Sequence, residues 1–466
     1  MNPYIQYMYS YPHKTAYRPL EGIRLENYLP ALAGGGHSLY IHIPFCQSKC
    51  GYCNLFSVTG QDTVSMDRYL DTLERQGKQY GKLLALYRTE FSSLTIGGGT
   101  PLLLSEAQMW RMFSIVNDCF VLSSGRELVI ETAPNQTTPE KLRLLKEAGA
   151  TRISMGIQSF SDEELRILQR SHQADRAREA LALLKTFDFP CINADFIYGI
   201  PGQTVQSLLQ SLKEALTFGP DEIFLYPLYV KHGARLERKL GQGIVLEPEA
   251  AFSQYQEAAA FLRDQGFRQD SMRRFLRQDG RRAYSECGAG TSLALGCGGR
   301  SYLGNLHFCS PYAITHADCL AQLRDYEKTL DFTRITHGLL LSEEEQKRRY
   351  VIRHLLIQPG LSLSRYREHF QSDAVTDFPL LKVWQEEGYL EIQTSEATVQ
   401  ASGNTPGLKD IPQKTDTYLT LTQTGIGLSD YLGPQLMSPE IIRLMEEWEA
   451  AHGQTDDLVP GHFKKL

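Results

Sequence analysis

Cys46, Cys50 and Cys53 stand in the run LYIHIPFCQSKCGYCNLF (39–56), spaced C-x3-C-x2-C directly after an apolar alternating stretch. A strand ending there would carry all three thiolates on the loop that leaves it. Three close cysteines fall one donor short of a closed zinc site, but they suit a four-iron cluster with one iron left open for a substrate or cofactor. The bland alternatives are three small buried hydrophobes or a zinc knuckle lacking a ligand. Downstream, Gly97-Gly98-Gly99-Thr100-Pro101 follows a second apolar run, and glycines there let the backbone approach a ligand closely with its N–H and C=O groups. Glu131, in VIETAPN, offers a carboxylate that accepts hydrogen bonds from a ligand, unless it only caps the helix starting near Thr138-Pro139. Gln158 in SMGIQSF, Arg170 in LQRSH and Asp195 in NADFIYGIPGQT add an amide, a cation and an acid. Such a set can bind a polar ligand, and any buried member needs a partner.

These residues matter only if one scaffold brings them to one edge. From Ser38 onward the strand-like runs SLYIHI, SLTIG, ELVIET, TRISMGI, CINADFI and EIFLYPL alternate with helical patterns over 66–87, 105–120 and 206–218. Repeated βα units imply a parallel sheet, and six of them imply an α/β fold with a partial (β/α)6 TIM-like barrel rather than the full eightfold one. The active edge is then the C-terminal ends of the strands, where the cysteine loop, the GGGTP turn and the acidic strand ends all fall. Residues 1–36, with six tyrosines and four prolines, read as an extended N-terminal arm across the barrel of residues 37–310. Within the barrel, CGAGTSLALGCGGRSYLGN (287–305) reads as loop and short strand near its mouth. A linker is expected over 311–340, a winged-helix-like C-terminal α+β domain of three helices and two strands over 341–440, and a tail over 441–466.

The chain has 466 residues, with 48 basic against 54 acidic side chains and a formal charge of -6. That balance argues against a generic nucleic-acid or anionic-membrane binder, which needs a concentrated basic face. Lys347, Arg348, Arg349, Arg353, Arg365 and Arg367 are offset by nearby acids, so a lid or substrate gate is the better reading of the C-terminal domain. The opening MNPYIQYMYSYPHKTAYRPL lacks the layout of a signal peptide and no apolar run is long enough to span a bilayer, so a cytoplasmic protein is expected. Nine cysteines are too sparse for a disulfide scaffold, and Cys119, Cys191, Cys287, Cys297, Cys309 and Cys319 read as core or loop thiols.

The C-x3-C-x2-C spacing, with HIPFC and the Tyr52-Cys53 pair, resembles the signature of the radical S-adenosylmethionine (SAM) enzymes. The likeness narrows to the branch holding the oxygen-independent coproporphyrinogen III dehydrogenases (oxidases) and the HemW-type haem chaperones, as an outlying subfamily. It covers about residues 38–305. It implies a [4Fe-4S] cluster on Cys46, Cys50 and Cys53, whose open iron chelates SAM and cleaves it reductively to a 5′-deoxyadenosyl radical. By the same resemblance Gly98, Gly99 and Thr100 receive the amino group of SAM, and Glu131, Tyr40 and Tyr52 contact the cofactor. Gln158, Arg170 and Asp195 match positions that hold a second SAM or a substrate beside the first. The implied partners are a small-molecule substrate, tetrapyrrole-like or otherwise large, and a reductant such as flavodoxin or ferredoxin, acting on a monomer. Two departures bear on the reaction. The dehydrogenases carry a further cysteine where this chain has Leu55, and the chaperones carry HNxxYW where it has RRAYSECGAG (281–290). Oxidative or methyl-transfer chemistry is therefore the first expectation, a haem-binding carrier the second, and a redox-sensing winged-helix regulator the third. No catalytic acid or base is singled out.

Overall fold

The computed structural model describes residues 2–8, 10–230, 234–237, 246–278, 290–396 and 415–452. Thirteen strands form one sheet: β1 (Arg18–Arg24), β2 (His37–Ile43), β3 (Phe91–Gly98), β4 (Leu122–Thr132), β5 (Arg152–Gln158), β6 (Cys191–Tyr198), β7 (Glu222–Pro227), β8 (Phe267–Gln269), β9 (Arg274–Arg277), β10 (Ser292–Leu295), β11 (Arg300–Leu303), β12 (Leu306–Cys309) and β13 (Arg334–Leu340). Their order is β1-β13-β12-β11-β10-β2-β3-β4-β5-β6-β7-β9-β8. The six expected strands are β2 to β7, side by side and parallel. Strands such as β6, whose side chains are buried on both faces save Asp195, read as near-continuous apolar runs because helices cover a parallel sheet.

The intervening helices include α1 (Thr63–Leu84), α2 (Glu106–Cys119), α3 (Pro139–Glu147), α4 (Asp162–Ile167), α5 (Ala174–Lys185), α6 (Val205–Thr217) and α7 (Pro248–Asp264). Their starts are written locally. Asp62 caps α1 by accepting from the Ser65 N–H, and Ser105 with Gln108 closes a capping box on α2. Among the described residues no helix is long and apolar enough to cross a membrane.

The sheet extends beyond the six units, and here the sequence expectations need correction. The segment expected as loop and short strand contributes β10, parallel to β2, followed by β11 and β12 antiparallel to their neighbours. The expected linker carries α8 (His316–Lys328) and β13, which pairs with β12 on one side and β1 on the other. The arm is therefore structured: it supplies β1, and Leu25, Leu29 and Leu32 join the barrel core. Further forward, Met8, Tyr11 and Ala16 are buried in the C-terminal core. That domain holds α9 (Glu343–Leu355), α10 (Leu363–Phe370), α11 (Ala374–Asp377), α12 (Leu380–Glu386), α13 (Gln423–Gly427), α14 (Ser429–Gln435) and α15 (Pro439–His452). Its small sheet has the order β14 (Leu361–Ser362), β16 (Thr415–Leu421), β15 (Leu390–Glu396). The expected tail is in part α15, with Ile441 and Met445 buried in the same core. Asp430 of α14 ties arm, barrel and this domain together: it pairs with Arg273, accepts from the Tyr229 hydroxyl at 2.8 Å and accepts from the Met8 N–H at 3.2 Å.

Candidate functional site

The cysteine loop leaves β2 and is pinned at several points. Phe45 bridges Val58, and the Cys46 N–H donates to the Val58 carbonyl at 2.9 Å. Gly51 is held from both sides, its N–H on the Leu168 carbonyl at 2.9 Å and its own carbonyl accepting from Leu236 at 2.7 Å. Lys49 is buried and donates to the Ile314 carbonyl. Cys46, Cys50 and Cys53 are half-buried free thiols. Burial pushes the Cys53 thiol up to about 12, with Cys50 and Cys46 adding to the shift, so the three sulfurs lie in one another's field.

No three Cys, His, Asp or Glu side chains among the described residues could hold a single metal ion. Thiolates about 2.3 Å from one zinc ion would have to crowd together. The chemistry of the donor set, three neighbouring thiols on one loop, fits an iron–sulfur group with one open iron.

The GGGTP turn packs directly on this loop. A Cβ at Gly99 would lie 2.7 Å from the Phe45 carbonyl oxygen and 3.0 Å from the Cys46 sulfur. A Cβ at Gly98, whose φ is +114°, would meet the His42 ring at 2.6 Å, and one at Gly97 would strike the Glu131 carboxyl at 2.5 Å. Three successive glycines are thus required by packing before any ligand is considered. The N–H groups of Gly98, Gly99 and Thr100 go to Glu131 Oε2 at 3.0 Å, the Ile43 carbonyl at 2.7 Å and the Phe45 carbonyl at 2.7 Å. What remains for a ligand amine is acceptor oxygens. The Thr100 hydroxyl lies 3.8 Å from the Cys46 sulfur.

Glu131, near the end of β4, is a strand residue bonded to Gly98, which sets aside the helix-cap alternative. Burial raises its carboxyl to about 7, with the Gly98 N–H pulling the other way and Asp195 adding a smaller upward push. Asp195 sits in β6 and accepts from Asn193 at 2.7 Å and Ser154 at 3.5 Å. Burial lifts it to about 6. Asn193 also donates to Ser154 at 2.7 Å, while its side-chain Oδ1 is buried without a hydrogen-bond partner among the described residues. Below them Glu222 pairs with Arg152 and Arg274, each at 2.7 Å. Sequence reading missed Asn193, Ser154 and this ionic floor; period-two spacing from Asp195 to Asn193 within one strand was the available signal.

Gln158 ends β5 with φ +74°, a left-handed conformation that costs a non-glycine residue about 1 kcal/mol or more. The strand bulges between Gly156 and Gln158. Arg170 holds the Gly156 carbonyl at 2.7 Å and His172 holds that of Ile157 at 3.2 Å, so the loop after α4 braces the bend. Arg170 also donates to the Cys50 sulfur at 3.1 Å. The structure thus brings Arg170 to the cysteine loop, while Gln158 and Asp195 stand beside it on β5 and β6.

Tyr40 lies in β2 with its hydroxyl 3.3 Å from His42 Nδ1. His42 Nε2 faces the Phe56 carbonyl at 2.9 Å and must donate to it, so in the neutral ring Nδ1 accepts from Tyr40. Burial lowers His42 to about 4 and keeps it neutral. Tyr52 packs on the small apolar cluster of Leu168, Ile197, Ile200, Leu228 and Leu236. All but one residue of RRAYSECGAG (281–290), Gly290, lies outside the described residues.

Comparison with known proteins bears on this arrangement. The Radical SAM superfamily profile matches residues 40–215. The chain is 27% identical over 446 residues to the oxygen-independent coproporphyrinogen III oxidase of Escherichia coli (strain K12), covering 89% of this chain and 94% of that protein. It is 34% identical over 231 residues to the heme chaperone HemW of Mycobacterium tuberculosis, covering 47% of this chain and 57% of that protein, a little over half the relative's length. Among solved structures, coproporphyrinogen III oxidase (HemN) from Escherichia coli superposes with a TM-score of 0.75 at 24% identity over 93% of this chain and 97% of that one, which shows the shared fold.

Proposed function

The chain belongs to the radical SAM superfamily, in the group holding the oxygen-independent coproporphyrinogen III oxidases and HemW, and from that premise we propose an enzyme acting by oxidation or methyl transfer on a tetrapyrrole-like or other large substrate. The family works with a [4Fe-4S] cluster and SAM; here Cys46, Cys50 and Cys53 would hold the cluster, and Gly98, Gly99, Thr100, Glu131 and Tyr40 would surround the SAM beside it. When bound, these groups supply one-electron reductive chemistry at a sulfonium. The chain's own residues bind, orient and keep water out.

The observation that carries this reading is the meeting of three sequence-distant segments at one sheet edge. The cysteine loop, the glycine turn and Glu131 are joined by the Gly98 to Glu131 hydrogen bond and by the approach of Gly99 and Thr100 to Cys46. Glu131, pushed up to about 7, has no ion pair among the described residues, and an ammonium on a ligand would be its partner. Gln158 and Asp195 line the neighbouring part of the rim and would take a second SAM or a substrate.

Methyl-deuterated SAM separates the two chemistries. Under reducing conditions with the substrate present, deuterium in 5′-deoxyadenosine together with S-adenosylhomocysteine marks methyl transfer, and both signals fall in Asp195→Ala at unchanged iron content. Unlabelled deoxyadenosine without S-adenosylhomocysteine leaves oxidation. A second reading, a haem carrier, is favoured by the 34% identity to HemW. A saturable one-to-one Soret shift on adding haem would establish it over the enzyme.

A further inference from the structure

The side of the sheet that carries Tyr40 continues past β2. Tyr40 pairs with Ala294 of β10, Ser292 of that strand pairs with Tyr302 of β11, and Arg300 and Tyr302 pair with Cys309 and His307 of β12. Alternation along each strand puts Tyr40, Ala294, Arg300, Tyr302 and His307 on one face. Neighbouring strands are about 4.8 Å apart, so Arg300, two strands from Tyr40, stands roughly 10 Å from it. Cations gather over this part of the face. The Arg349 guanidinium of α9 lies 4.8 Å from the Tyr302 ring centroid and that of Arg300 lies 6.0 Å from the same ring. Arg353 follows one turn later on α9, on the same side of the helix as Arg349. Burial lowers Arg349 to about 10, and Arg353 and Arg300 push it the same way, so the three charges lie in one another's field. The neighbouring cations of α9 are placed differently: Lys347 pairs with Asp377 at 3.2 Å and Arg348 pairs with Glu344. His307, 1% exposed, packs edge-on against Tyr302 at 4.7 Å, and its Nδ1 has no hydrogen-bond partner among the described residues. Like charges drawn together around a buried polar atom are costly, and a carboxylate entering there lowers that cost. A guanidinium carries five N–H donors in a fork that fits a carboxylate, so arginines with partners in the chain can still receive one.

We propose that Arg300, Arg349 and Arg353 form a subsite for a carboxylate of the substrate, on the face that carries Tyr40, and that this contact decides which part of the substrate is presented to the SAM site. The inference rests on the proposed reading of Tyr40 as a SAM contact and of the substrate as a large molecule, and it adds where that molecule is gripped. An anchor roughly 10 Å from Tyr40 suits a substrate whose charged group and reacting carbon lie at different ends. Because two of the three arginines stand on α9, the C-terminal domain takes part in recognition as well as in covering the sheet.

The test is a fluorescence titration of the anaerobically reconstituted full chain with coproporphyrin III, a tetracarboxylate, and with its tetramethyl ester, for wild type, Arg349→Gln, Arg349→Lys and Arg300→Gln. Saturation-transfer NMR with isophthalate, an aromatic dicarboxylate, repeats it without the macrocycle. The free acid should bind wild type about tenfold or more tightly than the ester, and each Gln variant should lose roughly tenfold, the scale of one hydrogen bond to a charged group. Arg349→Lys, which keeps the charge without the fork, should lose less. Iron content read alongside shows that a variant is folded; if one Gln variant is not, the other carries the measurement, and the comparison of acid with ester needs neither. Equal affinity for acid and ester in wild type, or unchanged affinity for the acid in a folded Gln variant, overturns the subsite. Isophthalate bound by wild type and lost in Arg349→Gln, with coproporphyrin III refused, keeps the subsite and overturns the tetrapyrrole reading instead. Binding of neither compound overturns both.

Discussion

Replacing Glu131 by Gln should stabilise the cluster-free protein at alkaline pH while weakening its hold on SAM. The glutamine keeps an acceptor for the Gly98 N–H, 3.0 Å away in the wild type, and removes only the charge. The wild-type carboxyl titrates near 7 in the fold against an ordinary 4.5, mainly because burial disfavours its charged form. A folded-state pKa raised in this way means that the folded protein binds the proton more tightly than the unfolded chain does. Its contribution is then fully present below about 4.5 and is lost as pH rises to about 7. At about 1.36 kcal/mol per pH unit, the loss is about 3 kcal/mol. Urea unfolding of both proteins, cluster-free, at about pH 4.5 and about pH 8.5 measures it. The stability of Glu131→Gln relative to wild type should rise by about 3 kcal/mol between the two. In the reconstituted protein the variant should bind SAM roughly tenfold or more weakly, since a hydrogen bond to a charged group contributes about 1.5–3 kcal/mol. A relative stability that does not move with pH would refute the argument, because the burial penalty is its main source.

Alanine at Cys46, Cys50 or Cys53 should abolish the brown iron chromophore in anaerobically reconstituted protein, while Cys119→Ala leaves the iron content at wild-type level; a full cluster in Cys50→Ala would defeat the ligand assignment. Gly99→Ala places a methyl 2.7 Å from the Phe45 carbonyl oxygen and should cost iron occupancy through displacement of the cysteine loop, read by iron analysis. Asp195→Asn removes a charge that pushes Glu131 up, so the pH dependence of stability assigned to Glu131 should shift to lower pH, read by the same urea series. Asp430→Ala strands Arg273 and should cost about 3 kcal/mol or more while exposing residues 2–8 to protease, read by unfolding and limited proteolysis.

The six parallel strands could be read from the chain because strands covered on both faces must be almost wholly apolar, and few other segments here have that form. The cysteine loop was legible for a different reason: ligand spacing is local, so Cys46 to Cys53 needs no knowledge of the fold. What escaped is what depends on distant pairing. β10 to β13 are mostly four residues long, too short for a periodic signal, and β1 finds its partner more than three hundred residues away. Arg170 and Cys50 lie 120 residues apart, and nothing in LQRSH says that its arginine reaches a sulfur of the cysteine loop. The glycine turn was recognised but only half explained, since sequence suggests room for a ligand whereas the structure shows that Gly97, Gly98 and Gly99 are first demanded by Glu131, His42 and Cys46.

The charges around the rim share one pattern. A cation, Arg170, faces the Cys50 sulfur, and two carboxyls, Glu131 and Asp195, stand on β4 and β6, both raised by burial and, among the described residues, each without an ion pair at close range. Ordinary cores avoid such groups or pair them; Arg152, Arg274 and Glu222 a little deeper in the same sheet show how this chain pairs them when the purpose is structural. Carboxyls left without an ion pair at one edge, above a floor where the charges are paired, mark that edge as shaped for charges that arrive from outside the chain. The stability withheld from the empty protein is then returned on loading, because a ligand that binds only the folded state stabilises it by mass action. On this account binding affinity and the instability of the empty site have the same origin.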